Sequence, residues 1–389
     1  MVHRSKNRNM TKIRVFVLFS TFAIVSFFGY FVGLIARGYQ FDTVTFKFLA
    51  NGILVAKSDP DGASIYIDGD LKGATNTNLK LAPKTYDVEI KKDGYISWKK
   101  KLTIKKEEVT QITAHLFKTA PSFSPITFDG AVNPVVSSDF SKIAYTNEDG
   151  LWIMSVSTLP LGFANDPFKV TDGMLKGATY SFSPNNRELL LETKAGIYVL
   201  NTNEFVKQTE LVASLLQKET ILKNWKLEND KKVASELKLV PIELSEILFK
   251  NSSSFSFSAD ETMVMYTASS AATLKKDLIA ELPGSSTQKE DRDIKIGKTY
   301  IYDIKEDKNF MVNENGKSLY WLPTSRHLVL PDKGKIVVMD YDGTNRQIVF
   351  SGDYIDPNAF PFVNASKLLI LTNLGSPSTT SNLYSLSIK

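Results

Sequence analysis

From Val15 to Ala36 the chain reads VFVLFSTFAIVSFFGYFVGLIA, twenty-two positions without a charge. At about 1.5 Å per residue a helix of that length extends about 33 Å, enough to cross a hydrocarbon core of about 30 Å. A cleaved signal peptide carries a shorter apolar stretch that ends in small residues. Here the run is crowded with Phe and followed by Arg37-Gly38-Tyr39-Gln40-Phe41. The pattern predicts an uncleaved transmembrane helix over 15–36 behind a tail over 1–14. Gly29 and Gly33 stand four apart in it, the spacing of a close-packing helix-dimer face, although two such glycines also occur by chance in Phe-rich spans.

Residues 50–117 change character. Short alternating runs, Ile53-Leu54-Val55, Ile65-Tyr66-Ile67, Tyr86 to Ile90, Leu102-Thr103-Ile104 and Ile112-Thr113-Ala114, are separated by Asp59-Pro60-Asp61-Gly62, Asp68-Gly69-Asp70, Ala82-Pro83-Lys84 and Asp93-Gly94. Period-two apolarity broken by Gly, Pro and Asp predicts a small β-sandwich of hairpins. Within it Pro60-Asp61-Gly62-Ala63, Asp68-Gly69, Gly73, Thr75, Pro83, Tyr86, Gly94-Tyr95 and Trp98 follow in order. This stretch resembles a PEGA domain, named for its Pro-Glu-Gly-Ala turn. It departs from the pattern at Asp61, at Asn76, where a proline usually follows the threonine, and at Lys84, in place of a turn glycine. The resemblance implies a bacterial envelope protein and a non-catalytic interaction or spacer module.

Two features of this module invite sharper readings. Asp59, Asp61, Asp68 and Asp70 lack the alternating ligands and terminal Glu of a calcium loop, so they read as turn residues. Lys99-Lys100-Lys101 and Lys105-Lys106 read either as an attraction for anionic wall polymer or as lysines protecting a strand edge.

The region 118–389 repeats itself. Five times a strand, a polar turn and a second strand recur, with a third strand after a variable gap. The turns are Ser137-Ser138-Asp139-Phe140, Ser183-Pro184-Asn185-Asn186, Ser258-Ala259-Asp260-Glu261, Leu322-Pro323-Thr324-Ser325 and Phe362-Val363-Asn364-Ala365. Repeats of about 40 residues that each form a short β-meander predict propeller blades, since one blade cannot bury both of its faces. The Ser-Pro-Asp-Gly-like turn resembles the repeats of TolB-type propellers. The expectation is five blades, or six if a divergent one lies in the insertion. The last repeat ends at the C-terminus without its outer strand, so closure is expected to borrow one from near Ser122–Phe128.

The insertion, near 206–250, places Leu237, Val240, Leu244, Ile247 and Leu248 at helical spacing, with Pro241 suited to a first helical turn. It reads as a helical hairpin packed on the propeller, or as a partner-docking helix. A second excursion, Ala268 to Gly297, is the best expectation for a binding surface, since long loops on rigid scaffolds carry function, against a decorative or disordered loop.

Composition narrows the chemistry. The chain has 389 residues, 43% hydrophobic and 23% charged, ordinary globular values that argue against wholesale disorder. Arg4, Lys6, Arg8, Lys12 and Arg14 precede the apolar run, so the N-terminus is expected in the cytoplasm and the bulk outside. With those five of the 47 basic groups set aside, 42 remain against 42 acids, which leaves no footprint for nucleic acid. There is no cysteine, hence no disulfide, thiolate nucleophile or Cys-ligated metal. The three histidines, His3, His115 and His327, lie far apart, and neither a G-x-S-x-G nor a nucleotide-binding motif occurs.

The expected fold is therefore mainly β: a transmembrane helix, a PEGA-like sandwich and a propeller with a helical insertion. The expected role is a single-pass, membrane-anchored extracytoplasmic binding or scaffold protein that recognises an envelope protein or cell-wall polymer, without metal, cofactor or catalytic residue. Two alternatives stand beside it: a wall-attachment protein that grips through the PEGA-like module, and a carboxylate-dependent hydrolase of envelope polymers.

Overall fold

A computed structural model describes residues 6–37, 39–42, 46–156, 166–214, 217–280, 282–314, 318–362, 364–375 and 380–389. His3, Arg4, Gly38 and Val363, used above, lie outside the described residues. The chain divides into two compact units. One comprises Met1–Lys91, Lys99–His115 and Pro283–Thr287, the other Lys92–Trp98, Leu116–Leu282 and Gln288–Lys389.

The first unit opens with helix α1, Lys6–Ala36, of which Ile13–Ala36 is long and apolar enough to span a membrane. Its large apolar side chains, Phe16, Phe22 and Phe28 among them, are exposed, as a helix needing an apolar solvent would leave them. A short hairpin follows, β1 (Gln40–Asp42) with β2 (Lys47–Leu49). Next come β3 (Gly52–Asp59), β4 (Ser64–Ile67), β5 (Asp70–Ala74), β6 (Thr77–Leu81), β7 (Thr85–Lys91), β8 (Trp98–Thr103) and β9 (Val109–His115). They form two sheets, β6-β3-β9 and β5-β4-β7-β8.

Burial alternates along β3, β7 and β9, as one-sided strands require. Leu54 and Ala56, Ile65 and Ile67, and Val88 and Ile90 supply the core of this sandwich. Four of the five alternating runs fall wholly in a strand, and Leu102-Thr103-Ile104 ends one residue beyond β8. The sequence reading missed β5 and β6, and it did not foresee that β3 and β9 pair in parallel.

Among the described residues the second unit holds five antiparallel sheets of three or four strands and a separate two-stranded one, Ala272–Thr273 with Asp293–Ile294. Strand β10 (Ser122–Pro125) precedes the first sheet, β11 (Val132–Val136), β12 (Lys142–Asn147), β13 (Gly150–Ser155) and β14 (Phe168–Asp172). The second is β15 (Thr179–Phe182), β16 (Glu188–Glu192) and β17 (Ile197–Asn201). After α2 (Lys218–Glu236) and α3 (Ile242–Asn251) comes the third sheet. It contains β18 (Ser252–Phe257), β19 (Met263–Ala268), β22 (Thr299–Asp303) and β23 (Lys308–Asn313), interrupted by the two-residue strands β20 (Ala272–Thr273) and β21 (Asp293–Ile294). The fourth is β24 (Tyr320–Trp321), β25 (His327–Asp332), β26 (Lys335–Asp340) and β27 (Gln347–Ser351).

The fifth sheet joins β28 (Ala359–Pro361), β29 (Lys367–Thr372) and β30 (Asn382–Ser387) to β10. Phe123 sits opposite Leu386, and the N–H of Leu383 donates to Thr127 Oγ1 at 2.9 Å, so residues some 260 positions apart close one sheet. This is the borrowed outer strand expected from Ser122–Phe128.

Apolar clusters stack the sheets face to face. The second packs on the first through Leu189 and Leu191 against Leu151 and Ile153. The first packs on the fifth through Ile143 and Tyr145 against Leu369 and Leu371. The fifth meets the fourth through Leu368 and Ile370 against Val329 and Val338, and the fourth meets the third through Leu328 and Leu330 against Met263 and Ile301. Strand pleating sends Met263 and Ile301 one way and Val264, Tyr266, Tyr300 and Tyr302 the other. That second face is covered by Leu244, Ile247 and Leu248 of α3. This is propeller-type stacking, with the insertion occupying the free face of the third sheet. Among the described residues no strand lies between β17 and β18. The helical spacing is right for α3, with Pro241 just before its first turn, whereas α2 buries none of its side chains.

Candidate functional site

The five repeated turns have one geometry. In each, the N–H of the fourth residue donates to the carbonyl of the first: Phe140 to Ser137, Asn186 to Ser183, Glu261 to Ser258, Ser325 to Leu322 and Ala365 to Phe362. Those fourth residues all lie near φ +55 to +58°. This left-handed conformation is the reason related turns place glycine there, and it costs other residues about 1–2 kcal/mol. In the first three turns the leading serine hydroxyl offsets that cost. Ser258 Oγ accepts from the N–H of Met263 at 3.1 Å and donates to Asp260 at 2.8 Å, and Ser137 and Ser183 do the same with Lys142 and Asp139, and Glu188 and Asn185. Burial works to raise Asp260, but donation from Ser258 and Thr262 outweighs it and holds the carboxyl below the ordinary range.

Three of these turns line a cavity of about 1040 Å³ in the second unit. Ser138 and Phe140 come from the first turn, Ala259 and Glu261 from the third, Leu322 and Pro323 from the fourth, and Pro361 from the end of β28. Strand β18 forms one wall, where the side chains of Ser253, Ser254 and Ser256 are exposed. Lys232, Val233 and Glu236 of α2 and Phe249 of α3 form another. Phe249 is 76% exposed, an apolar ring held open to the cavity. Phe140 meets Tyr320 edge-on at 5.8 Å, and Tyr320 meets Phe360 at 5.7 Å, so rings from three sheets pack in a row, the first two of them lining the cavity. Burial raises the Glu236 carboxyl, Lys232 opposes that, and the charge of Glu261 adds to it. Hydroxyls beside ring faces suit a ligand that offers both polar groups and apolar surface.

The sequence reading had not singled out this wall. Its signal is the run Ser252-Ser253-Ser254-Phe255-Ser256, a first blade strand without one aliphatic residue. The loop favoured instead, 268–297, is held by internal bonds among its described residues. Arg292, whose side chain is 9% exposed, pairs with Glu290 at 2.8 Å and Asp307 at 3.1 Å. Residues 283–287 fold into the first unit, where the Gly284 N–H donates to Glu108 and Thr287 Oγ1 accepts from the N–H of Thr103.

The family-motif residues of the small domain have structural work. Thr75 Oγ1 accepts from the N–H of buried Ala63 at 2.9 Å and lies 2.6 Å from Ser58 Oγ, which donates to the Pro60 carbonyl. That ties down the Pro60–Ala63 turn, where Gly62 has φ +69°. Asp68, ahead of Gly69, accepts from Lys84 at 2.9 Å and from the N–H of Asp87; the Lys84 bond, then that of Asp87, holds its carboxyl low. Gly73 lies at a register shift opposite Ile65. Exposed Pro83 precedes Tyr86, whose hydroxyl donates to the Ala82 carbonyl. Gly94, Tyr95 and buried Trp98 fall in the second unit; the Gly94 carbonyl accepts from Thr119, Tyr95 bridges Lys118, and Ile96 beside them packs on the core of the fourth and fifth sheets.

Asn76 sits at φ +68°, which proline cannot adopt, so the turn differs locally from the family pattern. Lys99 and Lys101 pair with Glu89 and Asp87 across the edge strand β8. Asp59 faces His115 at 3.4 Å, and buried His327 lies between Thr324 and Asp340. Among the described residues no group of three His, Cys, Asp or Glu could hold a metal ion. Gly29 and Gly33 lie on α1 with open space at their Cβ positions.

Comparison with known proteins places the small domain. The PEGA domain family matches residues 51–120, the span of β3 to β9, as the motif spacing led one to expect. No curated protein matches the chain. Similar solved structures include a protein assigned as TolB from Agrobacterium tumefaciens, 14% identical with a TM-score of 0.22, the match covering 67% of this chain and 74% of that one. TolB from Acinetobacter baumannii is 12% identical with a TM-score of 0.23, covering 84% and 63%. A luciferin-regenerating enzyme is 13% identical with a TM-score of 0.24, covering 69% and 97%. At such scores these likenesses add nothing to the sheet order, on which the propeller-type fold rests.

Proposed function

We propose that this chain is a single-pass, membrane-anchored extracytoplasmic binding or scaffold protein of the bacterial cell envelope, with a cytoplasmic N-terminus. Its propeller-type unit takes a protein or polymer ligand into the cavity at the repeated turns. The observation that carries this reading is the cavity itself: about 1040 Å³, collecting the turns of several sheets and walled by serine hydroxyls and aromatic rings. The apolar span and the PEGA match support the envelope location.

Sedimentation of residues 41–389 with purified cell-wall material and capture of envelope proteins test it, each with the native chain and with Ser254→Trp, which puts an indole on the serine wall of the cavity. Binding that the substitution abolishes supports the reading. Binding that survives Ser254→Trp but falls with Lys99→Glu and Lys101→Glu favours wall attachment through the PEGA module instead.

One observation favours the hydrolase reading. Glu236 and Glu261 line the same cavity, and the Glu236 carboxyl is raised, as a general acid requires. Release of soluble sugar or peptide from wall material, abolished by Glu236→Gln, is the outcome that would support it.

A further inference from the structure

The hairpin after α1 presents aromatic rings that are exposed or half-buried among the described residues. Phe46 is 77% exposed and Phe41 46% exposed, on a hairpin too short to have a core. The rings form a continuous ladder with the helix. Phe27 meets Phe31 at 4.5 Å, Phe31 meets Phe48 at 5.2 Å, Phe48 meets its cross-strand partner Phe41 at 5.2 Å, and Phe41 meets Phe46 at 6.2 Å.

The ladder fixes a depth. Ile13–Ala36 has 24 residues, about 36 Å of helix against a hydrocarbon core of about 30 Å, so each end overhangs by about 3 Å. Phe31 lies five residues before Ala36, about 7.5 Å back along the axis and therefore about 4 Å inside the acyl boundary. A ring packed on Phe31 is at that level too. The hairpin's backbone groups pair within it along three residue pairs, Gln40 with Leu49, Phe41 with Phe48 and Asp42 with Lys47. That pairing lowers the cost of leaving water.

We infer that the β1–β2 hairpin is an interfacial membrane anchor, with Phe41, Phe46 and Phe48 seated at the boundary between lipid headgroups and acyl chains. This rests on reading α1 as a membrane span. The occupant of the aromatic face is lipid, because the face continues the lipid-facing surface of the helix without a break. Only Ala50 and Asn51 separate β2 from β3, so the hairpin holds the PEGA sandwich at the membrane surface rather than on a free tether.

The chain has no cysteine, so single substitutions take one nitroxide label each. The full chain is reconstituted into phosphatidylcholine–phosphatidylglycerol vesicles, labelled at Phe22→Cys in the span, at Phe46→Cys, or at Ile348→Cys on an exposed strand of the second unit. Phe22 is 72% and Ile348 54% exposed, so none of the three substitutions removes core packing. Collision with oxygen, which concentrates in acyl chains, is compared with collision with a water-soluble nickel chelate. The expected oxygen-to-nickel ratio at position 46 is several-fold above that at 348 and below that at 22. A deep label at 22 with a ratio at 46 equal to that at 348 overturns the hairpin anchor and leaves the span standing. Water-like ratios at both 22 and 46 overturn the span and the anchor together. Low collision with both agents at 46 means that protein covers the ring, and this also overturns the inference.

Discussion

The sandwich and the five-sheet unit solve the same backbone problem with different residues. In the sandwich, Gly62, Gly69 and Gly73 hold positive φ, where a residue without Cβ meets no penalty, beside Asp68, Asn76 and Glu107, which hold it with a side chain. In the propeller-type unit the equivalent positions hold Phe140, Asn186, Glu261, Ser325 and Ala365. The turns survive because neighbours over-determine them: a serine hydroxyl bonded both to the chain and to an aspartate or asparagine, and two backbone bonds in every copy. A motif of glycines is therefore readable residue by residue. A motif of compensations is readable only by lining up five imperfect copies.

The comparison breaks most sharply at closure. Leu386 is fully buried between the fourth and fifth sheets on the strand that β10 completes. Leu386→Ala is expected to cost about 2–5 kcal/mol in urea unfolding of residues 41–389. An unchanged midpoint would mean that the joined termini do not hold the stack.

In the sandwich the corresponding lesion is Thr75→Val, which strands the buried Ala63 N–H and should cost about 1–3 kcal/mol. Ser258→Ala removes both bonds of one propeller turn, at about 1–2 kcal/mol. If these two variants melted like the native chain, hydroxyl bonding would not be what holds either turn.

Glu261→Gly works the other way. Relief of the left-handed strain is expected to raise stability by up to about 1 kcal/mol, partly offset by the entropy of glycine in the unfolded chain. A loss of stability would show that Glu261 is held there by contacts worth more than the strain.

The smallest effect is acid dependence. Asp260 is held below its unfolded value, so its contribution is complete above the unfolded pKa of about 3.9 and disappears as pH falls through the folded one. Asp260→Asn should flatten that acid limb between about pH 5 and 2, leaving the turn like the second copy, where Asn185 already accepts from Ser183. An unaltered limb would assign the acid sensitivity to other carboxylates.

Much of the fold was legible for physical reasons that act over a few residues. Period-two apolarity places the sandwich strands, Pro241 and the Leu244–Leu248 spacing place α3, and an unfinished last repeat points to a donor strand near Ser122–Phe128. The β5 run was missed because Asp70–Ala74 buries no side chain, and a strand with no core face has no alternation to detect; β6 alternates only between exposed and half-buried positions. The cavity was missed because its residues are dull singly. Ser254, Phe249, Pro361 and Phe140 become a wall only when several sheets and two helices meet.

The sequence by itself determined what depends on neighbours along the chain: an apolar helix long enough for a membrane, a PEGA sandwich written in its turns, and repeated meanders that must stack because neither face can stay wet. Tertiary structure decided what depends on partners far apart. It pairs Phe123 with Leu386, lays α3 on the third sheet, folds residues 283–287 into the first unit, and gathers the serine wall into a cavity. Local rules leave such choices open, because the cost of closing a long loop grows only slowly with its length, while burial in the finished stack selects among the closures.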